Sequence, residues 1–152
     1  MSPLSNDALA VLAASTFADT AFLLTEPCDA HSAWDNDWVC AVIPFDGEVA
    51  GRLVLAAPTA LAAQVAADML CLDPGDSEAV AQAGAAVAEL ANVFAGVLVA
   101  ELFGNSGKWQ LGLPRITMLE PALAPGEQAN RVTLLNELGQ PIRVEVVLAN
   151  AA

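Results

Sequence analysis

The sequence predicts an α+β domain in which helices pack on an antiparallel sheet and one long helix forms the centre. Three observations carry this. Apolar residues recur at helical spacing over residues 6–24, 60–70 and 79–104. They alternate, the period of a half-buried strand, within 39–56, 131–135 and 142–148. Finally, the two kinds of stretch come in groups: helix, hairpin, two helices, then three strands. Grouped strands pair antiparallel, whereas a parallel sheet needs strict alternation with helices. With 152 residues and no low-complexity segment or interdomain linker, 1–152 reads as a single domain. A chain of this length buries about 70% of its unfolded surface.

The first helix, residues 6–24, repeats Leu9, Leu12, Ala13, Phe17 (or Thr16), Ala21 and Leu24 on one side, and Pro27 stops it. Residues 26–37 are polar and rich in turn formers, and hold His31 and Trp34. Trp34 and Trp38 read as packing aromatics, because no polar pocket residues accompany them. In 39–56 the apolar run Val39-Cys40-Ala41-Val42-Ile43 meets Pro44 and Phe45. The favoured two-residue turn Asp46-Gly47 then leads into Val49, Gly51, Leu53 and Leu55, a hairpin. Pro58 and Thr59 open the second helix, residues 60–70, which is apolar through Leu61, Val65, Met69 and Leu70. The turn Asp73-Pro74-Gly75-Asp76 precedes the long helix. After it, 105–107 is a loop, 109–119 is extended with Pro114 as its breaker, and 120–128 is a Pro/Gly-rich connection. Residues 131–135 and 142–148 are strands joined around Gly139.

The long helix, 79–104, would run about seven turns, entered through Asp76 and Ser77 and closed by Gly104. Nearly everything in its middle is small or apolar except Glu89 and Asn92, whose i,i+3 spacing sets them side by side. At about 100° per residue, Val80, Val87, Phe94 and Leu98 fall opposite Glu89 and form the expected core stripe. Around Glu89 lie Ala85, Asn92, Val93, Gly96 and Ala100, a low-relief strip that a second protein could approach closely. The residues alone leave two readings. In one, Glu89 serves solubility and Asn92 is incidental, since Asn costs a helix only about 0.6 kcal/mol relative to Ala. In the other, the pair is a site.

Charge narrows the partners. The 18 acidic residues against 5 basic ones give a net charge of −13, which argues against nucleic acid and anionic lipid. Such acidity serves solubility, or steers a basic partner. The composition is 56% hydrophobic, with a mean hydropathy of +0.53. Even so, Gln82, Glu89, Asn92 and Glu101 interrupt the best candidate membrane span. The first fifteen residues lack the basic region of a signal peptide, so a cytoplasmic protein outside the membrane is expected. Cys28, Cys40 and Cys71 show no CxxC or Cys/His spacing and are expected to be reduced thiols. The single histidine, His31, gives no metal-ligand cluster. A nucleophilic pair of Cys28 with His31 would be built from sequence neighbours, which such pairs rarely are, and His31 reads as a loop residue.

Glu89-Leu90-Ala91-Asn92, inside a long helix and followed by Leu113-Pro114 in an extended segment, resembles the ExxN signature of the CheC/CheX/FliY chemotaxis phosphatases. Residues 44–51 with Val54, then Ala67-Asp68-Met69-Leu70, stand where that family has its glycine-marked hairpin and second helix. The resemblance spans about 39–119 and implies an α+β fold. It also implies dephosphorylation of the phospho-aspartate of a CheY-like response regulator, in chemotaxis or related two-component signalling. Asn92 would hold the attacking water and Glu89 would pair with the regulator's active-site lysine. No cofactor is implied on this chain, since Mg²⁺ belongs to the partner receiver domain. The first helix carries Asp19-Thr20-Ala21-Phe22 where CheC members have a second ExxN, so the single site is most similar to CheX, whose members are homodimers. Ala85 stands where many members have Asp or Ser. The alternative reading is a non-catalytic module of the same fold that binds a receiver domain or other signalling partner. A third is a small-molecule-binding or purely structural domain whose strip is covered by another subunit.

Overall fold

Local chemistry sets each element of the computed structural model, which describes residues 4–28, 37–73, 75–104, 108–118 and 123–149. His31, Trp34, Pro74 and the 105–107 loop lie outside the described residues, as does part of the 120–128 connection. Helix α1 (Asn6–Ala21) starts at Ser5, whose side chain accepts from the Ala8 N–H at 3.0 Å. It stops earlier than expected, at Phe22, which takes a left-handed conformation (φ 55°) and donates its N–H back to the Phe17 carbonyl. The early stop releases strand β1 (Thr25–Cys28), which pairs antiparallel with a strand more than 100 residues later, Thr25 opposite Asn136. The sequence predicts loop here. Pro27 is a strand residue, tolerated because β1 is an edge strand.

Strands β2 (Trp38–Asp46) and β3 (Gly51–Pro58) form the expected hairpin, with Val42 opposite Val54. Its connection runs over Gly47 to Ala50 rather than turning in two residues at Asp46-Gly47, because pairing already ends at Phe45 and Gly51. Helix α2 (Thr59–Leu70) follows at once and is tied to the start of β2: both the N–H and the Oγ1 of Thr59 donate to the Asp37 carbonyl at 2.6 Å.

The long helix is interrupted. Helix α3 (Ser77–Ala81) is capped by the Asp76 carboxylate, which accepts from Glu78 N–H at 2.8 Å, and helix α4 (Ala83–Phe103) begins after Gln82 (φ −94°, ψ 5°). That break corrects one core assignment. Val80 lies on α3, outside the register of α4, and is 55% exposed, whereas Val87, Phe94 and Leu98 are buried as expected. By length and composition α4 could cross a membrane, but 56% of its most apolar stretch is buried in the fold.

The extended 109–119 segment divides into two short strands, β4 (Gln110–Leu111) and β5 (Arg115–Thr117), both paired with β2. Strand β6 (Gln128–Asn136) begins three residues before the predicted Arg131, and β7 (Pro141–Leu148) completes the second hairpin. Its turn is held by the Asn136 Oδ1, which accepts from Leu138 and Gln140 N–H groups, with Gly139 at φ 75°. The result is a seven-stranded antiparallel sheet in the order β1-β6-β7-β3-β2-β4, with β5 also on β2. The helices cover one face. There α4 packs on β2, β3, α1 and α2, and the rings of Phe17 and Phe94 meet edge to face at 5.9 Å. On the other face Trp38, Cys40, Val42, Val54 and Ala56 form a smaller buried cluster, with the Arg143 guanidinium 5.7 Å from the Trp38 ring centre.

Candidate functional site

Because α4 is packed on several sides, it reaches the surface only along a stripe on the side of Glu89, which widens to Val97 and Glu101 toward its C-terminal end. Ala85, Glu89, Asn92 and Ala100 are exposed and Val93 and Gly96 half-buried, while Ala86, Val87, Leu90, Ala91, Phe94 and Ala95 are all buried. The stripe is the one expected from helical geometry. It is flat because its residues are small, and its only polar side chains at mid-length are Glu89 and Asn92.

Two grooves flank it. The larger, about 470 Å³, runs between Ala88, Glu89 and Asn92 on α4 and a wall formed by 111–114 and Ile116. The smaller, about 150 Å³, lies between Glu89 and the end of α2 at Met69 and Leu70. Glu89 therefore stands on the ridge between them and Asn92 faces the larger one.

The wall is fixed at both ends. Leu111 pairs with Phe45 in the sheet, and the Gly112 N–H donates to the Pro44 carbonyl at 2.7 Å. Only glycine fits at this point, since a Cβ on Gly112 would lie 2.5 Å from Pro44 Cγ. At the other end β5 pairs with β2, and Ile116 Cγ2 would lie 3.3 Å from a Cβ on Gly84, so the missing side chain lets the wall approach α4. Between these anchors Leu113 is 88% exposed, and Ile116, on β5 itself, is 48% exposed. Sequence pattern places an extended segment and Pro114 here but does not mark its exposed apolar side chains. Gly112 and Pro114 on either side of Leu113 are the available signal, a leucine held between two residues that stiffen or pin the backbone.

Among the described residues neither Glu89 nor Asn92 has a hydrogen-bond or ion-pair partner. A carboxylate and a carboxamide are thus offered together on an apolar surface. The carboxylate can accept from a cation. The carboxamide can donate and accept at once, which lets one side chain hold and orient a single water.

The three cysteines lie elsewhere. Cys40 is fully buried on the sheet face away from α4. Burial, with the Glu145 carboxylate adding to it, pushes its thiol up to about 12, so it is not a thiolate at neutral pH. Cys28 ends β1 half-buried, and Cys71 caps α2 in the open. Where a second motif would fall, α1 carries Asp19, and Phe22 lies outside the helix, 78% exposed. No group of three or more His, Cys, Asp or Glu side chains that could hold a metal occurs among the described residues.

The family model for the chemotaxis phosphatase CheX matches residues 39–134, which contain all of the β2–β3 hairpin but Trp38, together with α2, α4, the wall and most of β6. No curated protein matches the chain. Among solved structures, the chain is similar to a CheX–CheY–BeF3–Mg²⁺ complex from Borrelia burgdorferi, with a TM-score of 0.75 and 18% identity over 97% of this chain and 100% of that one. It is also similar to a chemotaxis protein CheX from Desulfovibrio desulfuricans, with a TM-score of 0.71 and 16% identity over 91% and 94% of the two chains. A CheX from Vibrio vulnificus matches with a TM-score of 0.69 and 15% identity over 91% of each. At these identities the structural likeness establishes the shared α+β fold.

Proposed function

Since this chain belongs to the CheX family of chemotaxis phosphatases, we propose that it hydrolyses the phospho-aspartate of a CheY-like receiver domain. The observation that supports the reading is the unpartnered Glu89–Asn92 pair on the one exposed stripe of α4. Hydrolysis of an acyl phosphate needs little covalent help; it needs a water in line with the bond to be broken and stabilisation of the charge on the phosphoryl oxygens. Water oxygen attacks phosphorus, the acyl P–O bond breaks, and the aspartate carboxylate and inorganic phosphate leave. In this reading the Asn92 carboxamide holds that water and fixes its line of approach. Glu89 accepts from the receiver's lysine and sets the register of docking. Positioning of this kind is worth several kcal/mol of barrier, up to about 7–11 in the best-oriented cases. Mg²⁺ is assigned to the receiver domain, where it neutralises phosphoryl charge. Ala85, small and exposed beside Glu89, leaves the stripe open.

We read 1–152 as one such domain, acting in the cytoplasm and assembling as a homodimer through a sheet edge. The test of the function is direct. A phosphorylated CheY-type receiver loses its phosphate faster when this chain is added, in proportion to the amount added. A phosphate lifetime unchanged by excess chain, with the two proteins nevertheless associating, would support the non-catalytic binding module instead.

A further inference from the structure

We propose that the wall formed by 111–114 and Ile116 is the apolar half of the receiver-docking surface, with Leu113 as its anchor. This rests on the reading that Glu89 and Asn92 face a receiver domain. For Asn92 to hold a water against a phosphoryl group, the partner must come within one water of α4. A specific interface covers about 800 Å² on each partner. That is far wider than a single-helix stripe, so the footprint must extend across the grooves beside it. The wall lines the same groove as Glu89 and Asn92 and falls inside that footprint.

Its character suits an anchor. Leu113 is 88% exposed and Ile116 48%, and both lie on a segment already immobilised by the Gly112–Pro44 hydrogen bond and by pairing of β5 with β2. Covering a side chain whose backbone is already ordered costs little further conformational entropy, and a buried aliphatic anchor contributes to binding through the apolar area it removes from water. The partner surface that fits is apolar and borders the phospho-aspartate pocket. Glu89 supplies the charge recognition and Leu113 the affinity.

The experiment measures binding of a CheY-type receiver, loaded with beryllofluoride and Mg²⁺ as a phosphoryl mimic, beside phosphate release from the phosphorylated receiver. Leu113→Ser is expected to weaken binding and raise KM by about tenfold or more, as loss of an interface anchor does, with kcat nearly unchanged. Leu113→Met should stay near wild type. Leu138→Ser, which alters an equally open leucine (80% exposed) on the β6–β7 turn, should match wild type in both assays. Wild-type binding and KM in Leu113→Ser would overturn the proposal. So would a change in oligomeric state with KM intact, which would make the wall a contact between copies of this chain. If the wild-type chain binds the receiver and Leu113→Ser does not, but phosphate release is never accelerated, the docking surface stands and the phosphatase reading falls.

Discussion

Glu127 is held by an arginine, whereas most carboxylates of this acidic chain, Glu89 included, have no cationic partner among the described residues. The two oxygens of Glu127 accept from Arg52 at 2.5 and 3.1 Å, and one also accepts from the Ala124 N–H at 2.7 Å. Arg52 first, then the backbone donor, hold its pKa below the ordinary value of 4.5. A depressed folded-state pKa means that the unfolded chain binds the proton more readily. The stabilisation is therefore present above the unfolded value and is lost as pH falls through the folded one. Melting temperature followed downward from pH 6 should thus fall in the wild type below about pH 4.5, the region of ordinary carboxylate titration, and fall less in Glu127→Gln. Parallel curves would show that the pair does not matter. Glu145 is likewise paired, with Arg131 at 2.6 Å. Glu89 and Asn92 have no such partners among the described residues, although both sit in the best-packed helix of the fold. Their pairing was legible in the sequence because a carboxylate and an amide at i,i+3 stand out among alanines. The Arg52–Glu127 pair was not, because its members are 75 positions apart and nothing local joins them.

At the scale of elements, two glycines give opposite predictions. Gly51 opens β3 so close to its neighbours that a Cβ would lie 2.5 Å from the Val147 carbonyl oxygen and 2.7 Å from Phe45 Cζ. Gly51→Ala should destabilise the fold by about 1–3 kcal/mol, the usual cost of overpacking. Gly96, in the middle of α4, is open: a Cβ there would meet no atom within 4 Å. Gly96→Ala should stabilise by about 0.5–1 kcal/mol through helix propensity. Urea unfolding of the two variants checks both signs, and two changes of the same sign would contradict this packing. The same local logic explains which elements the sequence showed. The β2–β3 hairpin, α2 and the β6–β7 hairpin carry their own periodicity and turn residues. The missed pieces depend on distant partners: β1 is a strand because β6 lies beside it, with Cys28 opposite Thr133. The break at Gln82 has no proline to announce it, and α3 packs on α2 rather than following the course of α4.

At the scale of the molecule, the fold class was legible and the sheet order was not. Grouped helices and strands imply antiparallel pairing, but placing β1 beside β6 and β7 beside β3 joins segments that only the finished core brings together. The sheet ends in short strands, four residues in β1 and two in β4. Short edges limit uncontrolled pairing and still leave room for one specific mate. Light scattering should give about twice the chain mass of 15.6 kDa, as expected for a two-fold dimer; the mass of one chain at high concentration would contradict the dimer. Whether α4 presents one catalytic pair to a receiver domain is tested most directly by the rate of phosphate loss from a phosphorylated CheY-type receiver, with wild type and Asn92→Ala at saturating concentration. Loss of one water-orienting group should slow the accelerated reaction by about 10²-fold or more, with binding of the beryllofluoride-loaded receiver retained. Full activity in Asn92→Ala would contradict it.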